Sequence, residues 1–147
     1  MISHTAEYAL RAMVSLAGHR HAPLTSQQLA DRTRVPLGYL AKIMQQLGRA
    51  NLVVGQRGPH GGFSLTREPD AITILQVVAA VDPIRRITRC PLNIPAHDRL
   101  CPLHQRLDDA LAHVEQAFDG TSLADLLDHS VCEISPLCRP PNGQDDA

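Results

Sequence analysis

Two cysteines and two histidines lie within sixteen residues, in the stretch RCPLNIPAHDRLCPLH at positions 89–104. The potential ligands are Cys90, His97, Cys101 and His104, and three prolines stiffen the chain around them. Thiolate sulfur and imidazole nitrogen suit tetrahedral zinc and iron–sulfur centres alike. Two thiols this close can also form a redox switch. These residue types therefore predict a metal centre or a thiol switch, with a stiff loop free of ligands as the plain alternative.

A long helix is predicted to carry the second half of this ligand set. It begins at Cys101, has Pro102 in its first turn and ends at Gly120. Cys101 and His104 are three residues apart at its start, so their side chains point to the same side. A stripe of apolar side chains makes the helix, over residues 102–119, the candidate dimer contact, with a long core helix as the plain alternative. The stripe comprises Leu103, Leu107, Ala110, Leu111, Val114, Ala117 and Phe118.

The N-terminal half has the pattern of a helix-turn-helix followed by a hairpin. A first helix follows the cap Ser3, and a short helix, SQQLADRT, follows Thr25 or Ser26. A third helix, LGYLAKIMQQLGRAN, carries an apolar stripe at the spacing of a buried face: Leu37, Leu40, Ile43, Met44 and Leu47. Residues 52–54 can pair with residues 63–66 across a glycine-rich loop. The predicted fold is mainly α: an N-terminal winged helix-turn-helix with a small β-hairpin wing, plus a long dimerisation helix.

Charge is distributed unevenly along the chain. Residues 1–67 contain eight Lys or Arg against two acids, whereas the remainder contains six Arg against thirteen acids. A basic N-terminal half of net charge +6 is typical of a module that binds a polyanion, although a solvated surface gradient is the plain alternative. Together with the helix-turn-helix pattern, it predicts a double-stranded DNA operator as the partner.

Three groups of residues are candidates for contact with DNA. The start of the third helix faces base edges with Leu37, Gly38, Tyr39, Ala41 and Lys42. The start of the second helix approaches phosphate with Ser26, Gln27 and Gln28. The wing contributes Arg57, Gly58, His60 and Gly61, with Arg57 at its tip directed to the minor groove.

These elements predict three parts. Residues 1–67 form the DNA-binding domain. Residues 68–130 form a linking helix, the ligand loop at about 89–104 and the dimerisation helices. Residues 131–147 form a disordered tail, which contains Cys132 and Cys138. That second pair is a candidate redox pair; alternatively it folds back to supply a ligand, or has no role.

Four segments in this order resemble the Rrf2 family of bacterial transcription regulators: EYALRAMVSLA, VPLGYLAKIMQQLGRANLV, RGPHGGFSL and TSLADLL. The resemblance covers about residues 1–130, and the wing pattern R-G-x-x-G-G followed by an aromatic residue is its most specific part. It implies a winged-helix dimer that represses transcription. In many members three cysteines, on the loop before the dimerisation helix, hold a [2Fe–2S] or [4Fe–4S] cluster.

The resemblance can be carried over residue by residue. Cys90 stands at the first family cysteine, Cys101 at the third, and His104 keeps the C-x-x-H spacing of the iron–sulfur-cluster regulator. The middle cysteine is missing, and its place falls near His97. Glu7 stands where some members supply a carboxylate from the partner subunit. The resemblance therefore implies Cys90, Cys101 and His104 as cluster ligands, with His97 and Glu7 competing for the last position.

The chain also departs from the family at two further positions. Arg11 replaces the histidine ligand of one member, and Ala41 replaces an acid with which the iron–sulfur-cluster regulator discriminates between site classes. Each candidate ligand has a plain alternative as well. Glu7 precedes Arg11 by four residues, the favourable order for a surface ion pair. His97 lies in a polar turn, and His104 could simply occupy the first turn of its helix.

The predicted function is a sequence-specific DNA-binding regulator, a repressor, whose DNA affinity is set by an iron–sulfur cluster, with [2Fe–2S] favoured over [4Fe–4S]. The alternatives are a cluster-free thiol-redox regulator, a regulator stabilised by zinc, and an interaction module for a cysteine-biosynthesis enzyme. We expect a cytoplasmic homodimer that binds neither RNA nor membrane and is not an enzyme. No apolar run is long enough for a membrane span, and we see no secretory signal.

Overall fold

The computed structural model describes residues 2–92 and 99–127. The main elements in chain order are α1 (His4–Ala17), α2 (Ser26–Thr33), α3 (Leu37–Arg49), β1 (Val53–Gln56), β2 (Gly62–Leu65), α4 (Ile74–Val81) and α5 (Pro102–Asp119). Short 3-10 helices occupy Pro69–Ala71 and Asp125–Leu127. Within the described ranges, no helix combines the length and apolar character that a membrane span requires. The predicted mainly α fold with one antiparallel hairpin is confirmed.

Local hydrogen bonds explain where the helices begin. The Ser3 hydroxyl accepts from the backbone N–H of Ala6 and caps α1. Thr25, not Ser26, caps α2. The Thr25 hydroxyl accepts from the backbone N–H of Gln28, and the side-chain oxygen of Gln28 accepts from the backbone N–H of Thr25. Thr73 caps α4 with the same reciprocal arrangement. Each cap satisfies N–H groups that have no partner within the helix, which fixes the first residue of that helix.

The first four helices enclose one apolar core. α1 packs against α2, α3 and α4. The buried stripe of α3 consists of Leu40, Ile43, Met44 and Leu47. The prediction that Leu37 belongs to this stripe is wrong, because its side chain is 45% exposed. α3 begins at Leu37, so this residue lies at the open end of the helix rather than against α1.

The turn between α2 and α3 is short and tightly constrained. Arg34 ends α2 in the left-handed conformation, with φ 56°. Val35 is buried beneath the turn, and Pro36 stands directly before α3. This reversal within three residues is the turn of a helix-turn-helix motif.

The wing is a hairpin in which β1 pairs with β2 from Val53 opposite Leu65 to Gln56 opposite Gly62. Phe63 exchanges two backbone hydrogen bonds with Leu24, of 2.7 and 3.0 Å, which attaches the hairpin to the segment before α2. Gly62 has φ +147°, and a Cβ there would lie 2.6 Å from the backbone of Leu24. The second glycine of the G-G pair is therefore required by this close approach.

α5 follows the ligand segment and packs on α4. Its buried side chain is Asp108, whereas Leu103, Leu107 and Val114 are exposed. The chain then returns, with Thr73 bridged to Ser122, and ends its described part in the 3-10 helix Asp125–Leu127. Ser122 and Asp125 exchange hydrogen bonds that close this short turn.

Candidate metal centre and nucleic-acid interface

Cys101 and His104 are positioned by the start of α5. Cys101 is the residue before the helix, Pro102 sets the first turn, and His104 lies three residues after Cys101. The Sγ atom of Cys101 lies 3.0 Å from Nδ1 of His104. The predicted helix start therefore brings these two side chains to the same side.

Cys90 reaches the same point from the segment that follows α4. Its Sγ atom lies 3.6 Å from Nδ1 of His104. The donor atoms of Cys90, Cys101 and His104 all lie within 4.8 Å of one another, and the three residues are half-buried. Three of the five predicted ligands are thus brought together in one chain.

Among the described residues, Glu7 is the one remaining candidate, and it is not part of this group. His97, Cys132 and Cys138 lie outside the described residues. Glu7 lies on α1, where its carboxylate accepts a hydrogen bond from the Arg11 guanidinium, as the plain alternative anticipated. Arg11 in turn donates to the backbone carbonyl of Thr33 at 3.3 Å. Within one chain, Glu7 therefore has a surface partner and lies apart from Cys90, Cys101 and His104.

The immediate surroundings of Cys101 favour its thiolate. The backbone N–H and then the imidazole of His104 favour the thiolate and lower the pKa of Cys101 to about 7. A thiolate is both the metal-binding and the nucleophilic form of cysteine. A large fraction of Cys101 is therefore ready for either reaction near neutral pH.

An ion-pair network beside the cluster was not predicted from the sequence. Arg86 donates from Nε and Nη2 to the two oxygens of Asp108, at 2.7 and 2.6 Å, and from Nη1 to Glu115 at 3.0 Å. The backbone N–H of Ile87 also donates to Asp108, at 2.8 Å. Arg86 is the largest cause that lowers the pKa of Asp108 to about 2, and Asp108 raises the pKa of Arg86. The only signal in the sequence was the spacing of Asp108 and Glu115, seven residues apart on one helical face.

The predicted base-reading face of α3 is open to solvent. Leu37, Gly38, Tyr39, Ala41 and Lys42 are all exposed, and so are Gln45 and Arg49 on the same face, which lie outside the predicted set. The helical period could have indicated them, since Gln45 follows Ala41 and Arg49 follows Gln45 by four residues each.

The other two groups are placed differently. On the wing, Arg57, Gly58 and His60 are exposed and Gly61 is half-buried. At the start of α2, Ser26 is half-buried, and both glutamines make local contacts: Gln27 donates to Asp31, and Gln28 accepts from Thr25. Gln27 and Gln28 are themselves exposed, so each of the three groups presents side chains to solvent.

Tyr39 at the start of α3 is held by α1. Its ring packs edge-on against Tyr8, with ring centroids 5.9 Å apart. The Arg11 guanidinium lies 5.5 Å from the centre of the Tyr8 ring. Half of Tyr39 remains exposed, so packing and DNA contact are compatible in this residue.

A tight helix-turn-helix, a second helix with an exposed polar face and a glycine-rich wing define a winged-helix DNA-binding protein. The family model that describes Rrf2 as an iron-dependent transcriptional regulator matches residues 2–129. The chain therefore belongs to the Rrf2 family of transcriptional regulators, and it is not an enzyme.

Related proteins agree with this assignment. The HTH-type transcriptional regulator IscR of Aliivibrio salmonicida is 31% identical over 131 residues, which is 87% of this chain and 78% of that protein. The structure of CymR, the global cysteine regulator of B. subtilis, superposes with a TM-score of 0.72 at 28% identity, over 86% of this chain and 95% of that one. IscR of T. potens shares the fold, with a TM-score of 0.74, 24% identity and 88% coverage of each chain.

Proposed function

We propose that this regulator represses transcription from a specific operator and that a metal centre at Cys90, Cys101 and His104 sets its affinity for DNA. The observation that supports this proposal is the convergence of two sulfurs and one imidazole nitrogen within 4.8 Å. The donor set fits an iron–sulfur cluster, and we favour [2Fe–2S] over [4Fe–4S]. Such a cluster supplies one-electron redox chemistry when bound, and imidazole ligation raises its potential.

Iron is favoured over other metals by family membership. The matching family is described as iron-dependent. A fourth ligand is needed, and the two candidates are His97 and a Glu7 contributed by the partner subunit. Glu7 would have to leave Arg11 in order to bind the metal. Arg11, whose guanidinium lies over the Tyr8 ring, would then lose its ion-pair partner.

The homodimer is also part of the proposal. Leu103, Leu107 and Val114 expose apolar surface along α5. A cavity of about 530 Å³ continues this surface, between α1, α5 and the segment after α4, and it is lined by side chains that include Val114, Phe118 and Ile2. We propose that a second copy of the chain covers this face. A dimer built on α5 places a metal centre at each helix start, so a change at the centre can alter the spacing of the two α3 helices.

The test begins with protein purified without oxygen. Native mass spectrometry and visible absorption should show a dimer with the mass of iron and sulfide and a coloured spectrum. Cys101→Ser and His104→Ala should lose the cluster mass, and operator affinity measured by fluorescence anisotropy should no longer respond to reconstitution. The double variant Cys132→Ser, Cys138→Ser is the matched control and should keep both. A colourless protein with no added mass after reconstitution would contradict the cluster proposal.

A single metal ion is the second candidate, and one observation favours it. The 3.6 Å separation between the Cys90 sulfur and Nδ1 of His104 matches the sulfur–nitrogen edge of a tetrahedron around one zinc ion, roughly 3.5 Å for ordinary zinc–ligand distances. The Cys101 sulfur, 3.0 Å from the same nitrogen, would have to move away from it by about 0.5 Å to bind the ion. The same mass spectrum would then show zinc in a colourless dimer. Disulfide formation between Cys90 and Cys101 would instead lower the mass by two hydrogens and would favour the thiol switch.

A further inference from the structure

The segment that carries Cys90 is attached to α5 by one arginine and a buried carboxylate. Asp108 is only 8% exposed, and among the described residues it is the buried charged side chain. It accepts three hydrogen bonds of 2.6–2.8 Å, two from the Arg86 guanidinium and one from the backbone N–H of Ile87. A buried carboxylate is costly unless its oxygens are paired and hydrogen-bonded, and this one is. The contact to Ile87 fixes the main chain and not only a side chain.

We call the Arg86–Asp108 ion pair, together with the Asp108–Ile87 backbone contact, the clamp. It lies on the same side of α5 as Cys101 and His104. Asp108 follows His104 by four residues and Cys101 by seven, so the three side chains share one helical face. Seven residues of helix span about 10 Å, and the three residues from Ile87 to Cys90 reach about the same distance when extended. The chain from residue 87 to residue 90 therefore runs back along α5 and places the Cys90 sulfur opposite His104.

The clamp also shortens the tether of Cys90, which is the stretch of chain between Cys90 and the nearest attached residue before it. With Ile87 attached to Asp108, Cys90 is three residues from a fixed point. Without that contact, the preceding fixed point is the end of α4 at Val81, nine residues away. Longer tethers spread a ligand over a larger volume and lower its effective concentration at a site.

We infer that Arg86 and Asp108 are positioning residues of the metal centre, whose ion pair holds Cys90 within reach of Cys101 and His104. This inference depends on the proposed function for its metal, but its geometric content is separate. Glu115 contacts the same arginine through one hydrogen bond and does not touch the Ile87 backbone, so it provides a matched comparison within the network.

The first measurement is the affinity of the metal-free dimer for Co²⁺ alone. It is determined from the visible absorption of bound Co²⁺ in competition with a chelator. All variants carry Cys132→Ser and Cys138→Ser, so that only the cluster thiols respond. Asp108→Asn, nearly equal in size, should weaken Co²⁺ binding about 10- to 100-fold, the usual effect of removing a partner that orients a ligand. Glu115→Gln should stay within about twofold of the parent protein. Equal losses in both variants, or none in Asp108→Asn, would overturn the inference.

The second measurement needs no metal. In a glutathione redox buffer, the two thiols of Cys90 and Cys101 give their hydrogens and two electrons to glutathione disulfide, forming one protein disulfide and two glutathiones. The equilibrium constant for disulfide formation rises with the effective concentration of one thiol at the other. It should be about tenfold lower in Asp108→Asn than in Glu115→Gln. Arg86→Lys keeps the charge and loses the two-pronged contact, so it should resemble Asp108→Asn while leaving the circular dichroism of the helices unchanged.

The two measurements separate the two proposals. If the parent protein binds no Co²⁺ and gains no mass on reconstitution with iron and sulfide, but its disulfide equilibrium depends on Asp108, the metal centre is wrong and the clamp stands. If the parent binds Co²⁺ and both variants leave affinity and disulfide equilibrium unchanged, the clamp is wrong and the metal centre stands.

Discussion

The reading head, from α1 to β2, and the ligand arm, formed by residues 82–92 and 99–119, bury different kinds of side chain. The reading head contributes most of the buried apolar residues, including Met13, Leu29 and Leu40. In the described part of the chain, the ligand arm contributes no buried apolar residue, and its buried side chain is the charged Asp108. The reading head therefore carries its own core, whereas the ligand arm depends on an ion pair and, as we propose, on a metal and a second subunit.

The largest effect should come from the exposed face of the ligand arm. Leu107→Glu with Val114→Glu places two charges in the proposed dimer contact. We expect a monomer by light scattering and operator affinity reduced at least about 100-fold, since linked half-site binding is lost. Gln105→Glu with Gln116→Glu adds the same charges on another face of α5 and should leave the dimer intact. A dimer that survives the first pair would show that α5 is not the contact.

A disruptive substitution in the reading head should instead lower the free energy of unfolding. Gly62→Ala introduces a Cβ at φ +147° against the Leu24 backbone, and we expect a loss of about 2–4 kcal/mol in the free energy of unfolding. Gly38→Ala is the control: this helical position has open space around it, and stability should rise by up to about 1 kcal/mol. Urea unfolding followed by circular dichroism measures both. Equal stability of the two variants would mean that the hairpin is not fixed to the segment before α2.

A smaller effect is expected from the wing tip. Arg57→Ala removes an exposed charge, and operator affinity should fall about tenfold while the slope of log affinity against log salt decreases by about one. Arg106→Ala removes an equal charge from the ligand arm and should change neither quantity. Unchanged binding by Arg57→Ala would exclude the wing from the DNA interface and restrict reading to α3.

The smallest effect tests the electrostatics of the ligand arm. In metal-free protein, alkylation of Cys101 by iodoacetamide should be half-maximal near pH 7, because His104 lowers the pKa of that thiol. The thiolate is the reactive form, so reactivity is present above this pH and is lost below it. His104→Ala keeps the backbone N–H and removes the imidazole, so the midpoint should move only part of the way to about 8.5. A midpoint near 8.5 in the unaltered protein would contradict the arrangement around Cys101.

The reading head was the more predictable region. The starts of α1 and α2 follow from Ser3 and Thr25, whose caps act over three residues. The wing follows from the position of its glycines. Leu37 is the exception, since a helical period cannot tell whether the first turn of α3 reaches the core. The division into residues 1–67, 68–130 and 131–147 remains a prediction.

The sequence by itself determined the helices, the hairpin and the types of ligand, because capping, helical period and turn chemistry act between residues close in the chain. Only the tertiary structure decided that Cys90 contacts His104, which is fourteen residues later in the chain. The same holds for the ion pair of Arg86 with Asp108, which are twenty-two residues apart. Contacts at that separation depend on how α4 and α5 pack and on where the intervening chain is anchored. No local pattern encodes that geometry, so the buried ion pair beside Cys90, Cys101 and His104 could be found only in the folded chain.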